Sequence, residues 1–212
     1  MPSVFNPGPS GFLPVNLLGG RVYAGSTRHI PIASGYAQNI GFGDLVALDA
    51  NGQAVRVDTS AGAKADFNTA KVIGVFLGCG YSQTSGLKYT LNAQNWVSGT
   101  TASDVYAVVV DDPDAIFQVT LTNASGVQYT SSAATQSNVG NNIGYYQPAT
   151  FVNASGNSTV SANLASATTT STLPFRIIDV VQESALPSDG SFTQVLVTYN
   201  FGLHFYRQAT GI

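Results

Sequence analysis

Chemistry near neutral pH needs a base, a nucleophile or a ligand set, and this 212-residue chain supplies few of them. Only His29 and His204 are side chains of the type that could serve as a base there. His29 stands in Arg28-His29-Ile30-Pro31-Ile32, where the proline points to an edge strand or the start of one. His204 stands among aromatics in Phe201-Gly202-Leu203-His204-Phe205-Tyr206. Both read as structural or interface histidines in preference to catalytic ones. Cys79 is the sole cysteine and has no charged residue within five positions to lower its pKa, which fits a small packed thiol. Being alone, it also excludes an internal disulfide framework and a Cys-based zinc site.

The remaining candidates are carboxylates and aromatics. Asp111-Asp112-Pro113-Asp114 puts three carboxylates in four residues, a set of oxygens that could hold calcium. The same residues make an Asx-Pro turn between two strands, and the turn is the preferred reading. Glu183 is the only glutamate, so the paired carboxylates of a glycosidase are not indicated. No nucleophile elbow, His-Glu-x-x-His pair or phosphate-binding glycine loop occurs. Trp96, or Tyr145 with Tyr146, could stack a sugar ring; such residues also fill β cores and protein interfaces. The glycosylation triplets at Asn123, Asn153 and Asn157 are chance products of an Asn- and Ser-rich chain. No catalytic, cofactor-binding or metal-binding residue is assigned, and the chain does not read as an enzyme.

The elements that must carry these residues are strands. Asp, Glu, Lys and Arg make up 9% of the chain, against roughly 25% in average soluble proteins. Three lysines and one glutamate leave little with which to build surface helices. In their place are 21 Ser, 20 Thr, 15 Asn and 22 Gly, which favour strands and turns. The net charge is −3 with basic residues scattered singly, so neither nucleic acid nor an anionic membrane is an expected partner. No apolar run approaches a membrane span, and the first residues lack the pattern of a secretion signal.

Residues 1–20 hold four of the nine prolines and no charge. Proline fixes φ and removes donors, so this segment is expected to be an extended arm. Val4, Phe5, Phe12, Leu13, Leu17 and Leu18 make it too apolar for a solvated tail. Residues 21–212 are expected to form a single β-rich domain. Strands are predicted at Asp44–Leu48, Gln53–Val57, Lys71–Gly78, Leu87–Leu91, Val105–Val110, Ile116–Thr122, Phe175–Gln182 and Phe192–Phe201. Three turns share one chemistry: Asp49-Ala50-Asn51-Gly52, Asn123-Ala124-Ser125-Gly126 and Asn153-Ala154-Ser155-Gly156. In each, the glycine is placed to take the left-handed conformation of a bulged hairpin. The Ser/Thr-rich stretches 130–142 and 153–172 are expected to be long loops or edge strands.

Three segments carry a resemblance. Gly43-Asp44-Leu45-Val46-Ala47-Leu48, Val72-Ile73-Gly74-Val75-Phe76-Leu77-Gly78-Cys79-Gly80-Tyr81, and the run from Tyr106 to Val119 through Val110-Asp111-Asp112-Pro113-Asp114 resemble virion structural proteins of tailed phages, common in aquatic and marine phages. Thr172-Leu173-Pro174-Phe175-Arg176-Ile177-Ile178 and the terminal Thr210-Gly211-Ile212 are similar in position and flavour. The resemblance implies a capsid decoration, or cement, protein: a β-barrel or jelly-roll-like sandwich, usually a homotrimer, on the outer surface of an HK97-type phage head. Its implied partner is the major capsid protein, and its implied location is the virion surface after synthesis in the host cytoplasm. Under it, the arm and a second stretch containing Phe201, Leu203, His204, Phe205 and Tyr206 are the expected inter-subunit or capsid contacts, the alternative for residues 1–20 being that they pack against their own domain. The competing expectation is a carbohydrate- or receptor-binding β-sandwich of a head fibre or tail tip, using Trp96 or Tyr145 and Tyr146.

Overall fold

Strands account for nearly all the regular structure in a computed structural model that describes residues 8–67, 70–82, 90–127, 136–181 and 193–211. They begin with β1 (Leu13–Leu17), β2 (Arg21–Val22), β3 (Arg28–Pro31), β4 (Leu45–Leu48) and β5 (Ala54–Arg56). β6 (Gly62–Lys64), β7 (Lys71–Ser82), β8 (Thr90–Ala93) and β9 (Ser103–Val110) follow. The chain then forms β10 (Ala115–Thr122), β11 (Asn142–Gln147), β12 (Ser161–Thr168), β13 (Phe175–Val180) and β14 (Gln194–Tyr199). Among the described residues no helix is long and apolar enough to cross a membrane.

One sheet closes on itself. Its path runs β12-β11-β13-β14-β10, and β12 then pairs in parallel with β10 through Leu121–Ala162 and Thr122–Asn163. Five strands therefore form a barrel, which removes the open edges of that part of the sheet. β1 and β2 extend the sheet beyond β10, and β6 pairs with β11. The second sheet runs β3-β9-β7-β4-β5, with β8 beside β7. The chain adopts the all-β fold expected from its composition, with the barrel that the resemblance implied.

Alternation along the strands builds two cores. Phe117, Val119 and Leu121 of β10 point inward with Phe175, Ile177, Val195 and Val197, while Val72, Val75 and Val110 close the same core from the second sheet. On the other face of that sheet, Ile73, Phe76, Cys79, Ala107 and Val109 pack against Ile40 and Trp96. A buried ion pair lies where a barrel loop meets the second sheet. Asp44 accepts from Ser158 Oγ at 2.6 Å and from the Gly41 amide at 2.8 Å, and lies 3.5 Å from Arg56 Nε. The Arg56 guanidinium also stacks over the Phe151 ring at 3.6 Å. Burial pushes the Asp44 carboxyl upward, and the neighbouring guanidinium opposes that shift.

The three related turns form as expected. In each, the first side chain accepts two backbone amides: Asp49 from Asn51 and Gln53, Asn123 from Ser125 and Val127, and Asn153 from Ser155 and Asn157. The closing glycines Gly52, Gly126 and Gly156 sit at φ +73°, +75° and +81°. β3 contains Pro31 and, among the described residues, pairs only with β9, so it is the edge strand its proline implied.

One expectation is revised, and one open alternative is decided for the described residues. The stretch 153–172 contains β12, which is neither a loop nor an edge strand, since it lies between β11 and β10. Its polar side chains enter the barrel wall because Ser161 and Thr122 satisfy one another at 2.7 Å between hydroxyl oxygens. The N-terminal segment, from residue 8 onward, is part of the fold and does not stand apart from it. Phe12 is fully buried, β1 pairs with β10 and β2, and the Phe12 amide donates to Gly43 O at 2.9 Å. This approach requires glycine twice. A Cβ on Gly11 would lie 2.6 Å from Gly43 O, and one on Gly43 would lie 2.9 Å from Ser10 O. Both residues also have positive φ, at +80° and +86°.

Candidate interaction surface

The expected contact residues separate into buried and exposed sets. Val4 and Phe5 lie outside the described residues. Phe12 is a core residue and cannot present a docking surface: it stacks on Phe175 and meets Phe117 edge-on. His204 is likewise fully buried and is corrected from contact to internal staple. Its Nε2–H donates to Ile73 O at 2.8 Å, joining the C-terminal segment to β7, while Nδ1 accepts from the Tyr206 amide at 3.3 Å. Burial pushes its pKa down to about 4. Phe205 and Leu203 are half-buried, packed against the second core and the barrel core respectively. Tyr206 is partly exposed and donates to Asp111 at 2.9 Å, beneath the Arg28 guanidinium.

Leu13 and Leu17 are half-buried at the two ends of β1, Leu17 against the barrel core, which leaves Leu18 and Phe201. They come from opposite ends of the chain and meet on the outer face of the barrel sheet. Phe201 is 83% exposed. Leu18 and Phe201 line one cavity of about 260 Å³ with Arg176, Ile178, Thr198 and Arg207. Strand pairing sets the surrounding surface in rows. Arg176 is opposite Thr198, and Thr198 is opposite Ile116. In the next row Asp179, Leu196, Gln118 and Leu13 follow one another across four strands. This face is therefore apolar and amide-rich, with few charges. The sequence named Leu13, Leu18 and Phe201; it gave no reason to single out Ile178, Leu196 or Arg176. Their outward placement depends on pairing partners and on a bulge between Ile177 and Asp179.

The acidic segment has a structural job at the rim. Asp114 holds both Arg21, at 3.1 Å, and Arg207, while Asp111 holds Arg28 at 3.0 Å. The Asp112 carboxylate accepts the Asp114 amide at 2.8 Å, as an Asx turn does. One turn between β9 and β10 is thus clamped by cations from β2, β3 and the C-terminal segment. Among the described residues no group of three His, Cys, Asp or Glu stands together as a metal site.

Of the other candidates, Trp96, Tyr145 and Cys79 are internal, while Tyr146 is half-buried and His29 is exposed on β3. Trp96 is fully buried, donating its indole N–H to Tyr36 O at 3.2 Å, and Tyr145 is buried in the barrel core. Tyr146 covers Gly126. The sugar-stacking platform expected from Trp96 or Tyr145 is therefore absent from the surface. His29 stacks on Tyr106 at 4.3 Å. Cys79 is buried, which pushes its thiol up to about 11. Comparison with family models, curated proteins and solved structures finds no match to this chain.

Proposed function

We propose that this chain is a capsid decoration protein of a tailed phage, which binds the outer surface of the head as a homotrimer and bridges neighbouring major capsid subunits. One observation carries the reading. Leu18 and Phe201, drawn from the two segments expected to make contacts, converge on one cavity on the outer face of the barrel sheet. The resemblance of the Gly43–Leu48, Val72–Tyr81 and Tyr106–Val119 segments to virion structural proteins supplies the kind of partner.

The physical argument is one of repeated modest contacts. Away from its arginines this face offers Leu, Ile, Thr and Gln, a part that loses little by being covered, because no charge there needs to be desolvated. A protein that touches several shell subunits at once multiplies weak sites into firm retention. Such a clip must be released before the seam can open under the outward pressure of packed DNA.

Co-sedimentation of the purified protein with shells that lack it tests the reading. Wild-type protein is expected to pellet with the shells, and Phe201→Asp to lose most of its retention while keeping its melting temperature. Equal retention of a folded Phe201→Asp protein, or no association of the wild type, would overturn it.

A further inference from the structure

The cavity between Leu18 and Phe201 has an imbalance of charge. Arg21 and Arg207 share a single carboxylate, Asp114. Arg176 is exposed on β13, and among the described residues only neutral amide oxygens hold it: Asn142 Oδ1 at 3.0 Å from its Nε, and Asn200 Oδ1 at 3.2 Å from an Nη. Among the described residues no carboxylate lies within 4 Å of it. Asp179 is on the same face, but it is one row further along and accepts its own neighbour's amide from Val180. A chain of net charge −3 therefore presents a cationic cavity on this face: Arg176 and Arg207 line it, no carboxylate is among its lining residues, and only Arg207 of the two is paired, with Asp114.

The two asparagine contacts matter as much as the charge. They fix the guanidinium plane without neutralising it, which lowers the ordering cost of a new charge-assisted pair. Phe201 stands at the opposite wall as an apolar lid. At about 260 Å³ the cavity falls below the roughly 300–1,000 Å³ typical of small-molecule pockets and suits a side chain or two. Anchors at protein interfaces fill such pockets.

From this geometry we infer that the cavity receives an aspartate or glutamate side chain of a partner protein, with an apolar residue next to it. Arg176 takes the carboxylate, and Leu18, Ile178 and Phe201 take the apolar neighbour. That the acid belongs to a protein rests on the docking reading above; the demand for a carboxylate rests on the cavity alone.

The test uses the full chain and two capped tripeptides, leucyl-aspartyl-phenylalanine and its asparagine counterpart, followed by NMR chemical shifts. The aspartyl peptide is expected to perturb Leu18, Arg176, Thr198 and Phe201. The asparaginyl peptide should bind about tenfold more weakly or worse, the scale of one charged hydrogen bond. Arg176→Gln should bring the aspartyl peptide down to the asparaginyl level, and Phe201→Ala should weaken both. Added salt should narrow the gap in the unaltered protein, a readout that needs no variant. Equal affinity for the two peptides, shifts centred elsewhere, or no shifts at millimolar peptide would overturn the inference. Peptide binding without shell binding would defeat the capsid reading alone. Shell binding indifferent to Arg176→Gln, with no peptide binding, would defeat this inference alone.

Discussion

The rings of Phe12 and Phe175 lie 4.6 Å apart with 26° between their planes, inside the barrel. The N-terminal segment is therefore fastened into its own domain at Phe12, and whatever reaches a neighbour must lie before it or on the outer side of β1. Removing Phe12 empties a site lined by Phe117 and Phe175.

Phe12→Ala is accordingly expected to cost about 3–5 kcal/mol of stability, measured by urea unfolding. A Phe12→Ala protein as stable as the wild type would show that the segment is not part of the core.

His204 gives the fold an acid limit. Its neutral form, protonated on Nε2 and accepting on Nδ1, is the one that satisfies both Ile73 and Tyr206. Burial lowers its folded pKa to about 4, against an ordinary value near 6.5, so the folded state binds this proton less readily than the unfolded chain. The stability it confers is present in full above the ordinary value and is lost as pH falls through about 4, some 3 kcal/mol in all. Asp111 and Asp112 favour the charged ring, while Arg207 opposes it. Unfolding curves at neutral and mildly acidic pH should show a larger loss for the wild type than for His204→Gln. Parallel losses would contradict this account.

Asp114 holds two exposed arginines, so Asp114→Asn should cost only about 1 kcal/mol. Because the acidic turn is spent on guanidiniums, calcium or a chelator should leave the melting temperature unchanged. A calcium-dependent rise that disappears in Asp112→Asn would contradict the clamp.

What was legible in the sequence was mostly local. The Asp49, Asn123 and Asn153 turns follow from side-chain acceptors and a glycine within four residues, and they formed as read. β7, β9, β10 and β14 announced themselves by β-branched runs. β12 did not, since its Ser161 is tolerable only opposite Thr122, a partner 39 residues away. His204 and Trp96 were ambiguous for the same reason, because burial is decided by distant neighbours such as Ile73 and Tyr36. The cavity could not be read at all: Leu18, Arg176 and Phe201 meet only once β1, β13 and β14 have taken their places around the barrel.

Low charge thus acquires a location. The weakly charged surface includes one apolar face of the barrel, rimmed at one end by arginines, and that face is where coverage by a partner would lose least. Imaging of purified virions tests this most directly. The account predicts density for the barrel at the local threefold positions of the head, with Leu18, Arg176 and Phe201 turned toward the shell or a neighbouring copy. A head surface without such density, or a bound protein with that face open to solvent, would contradict it.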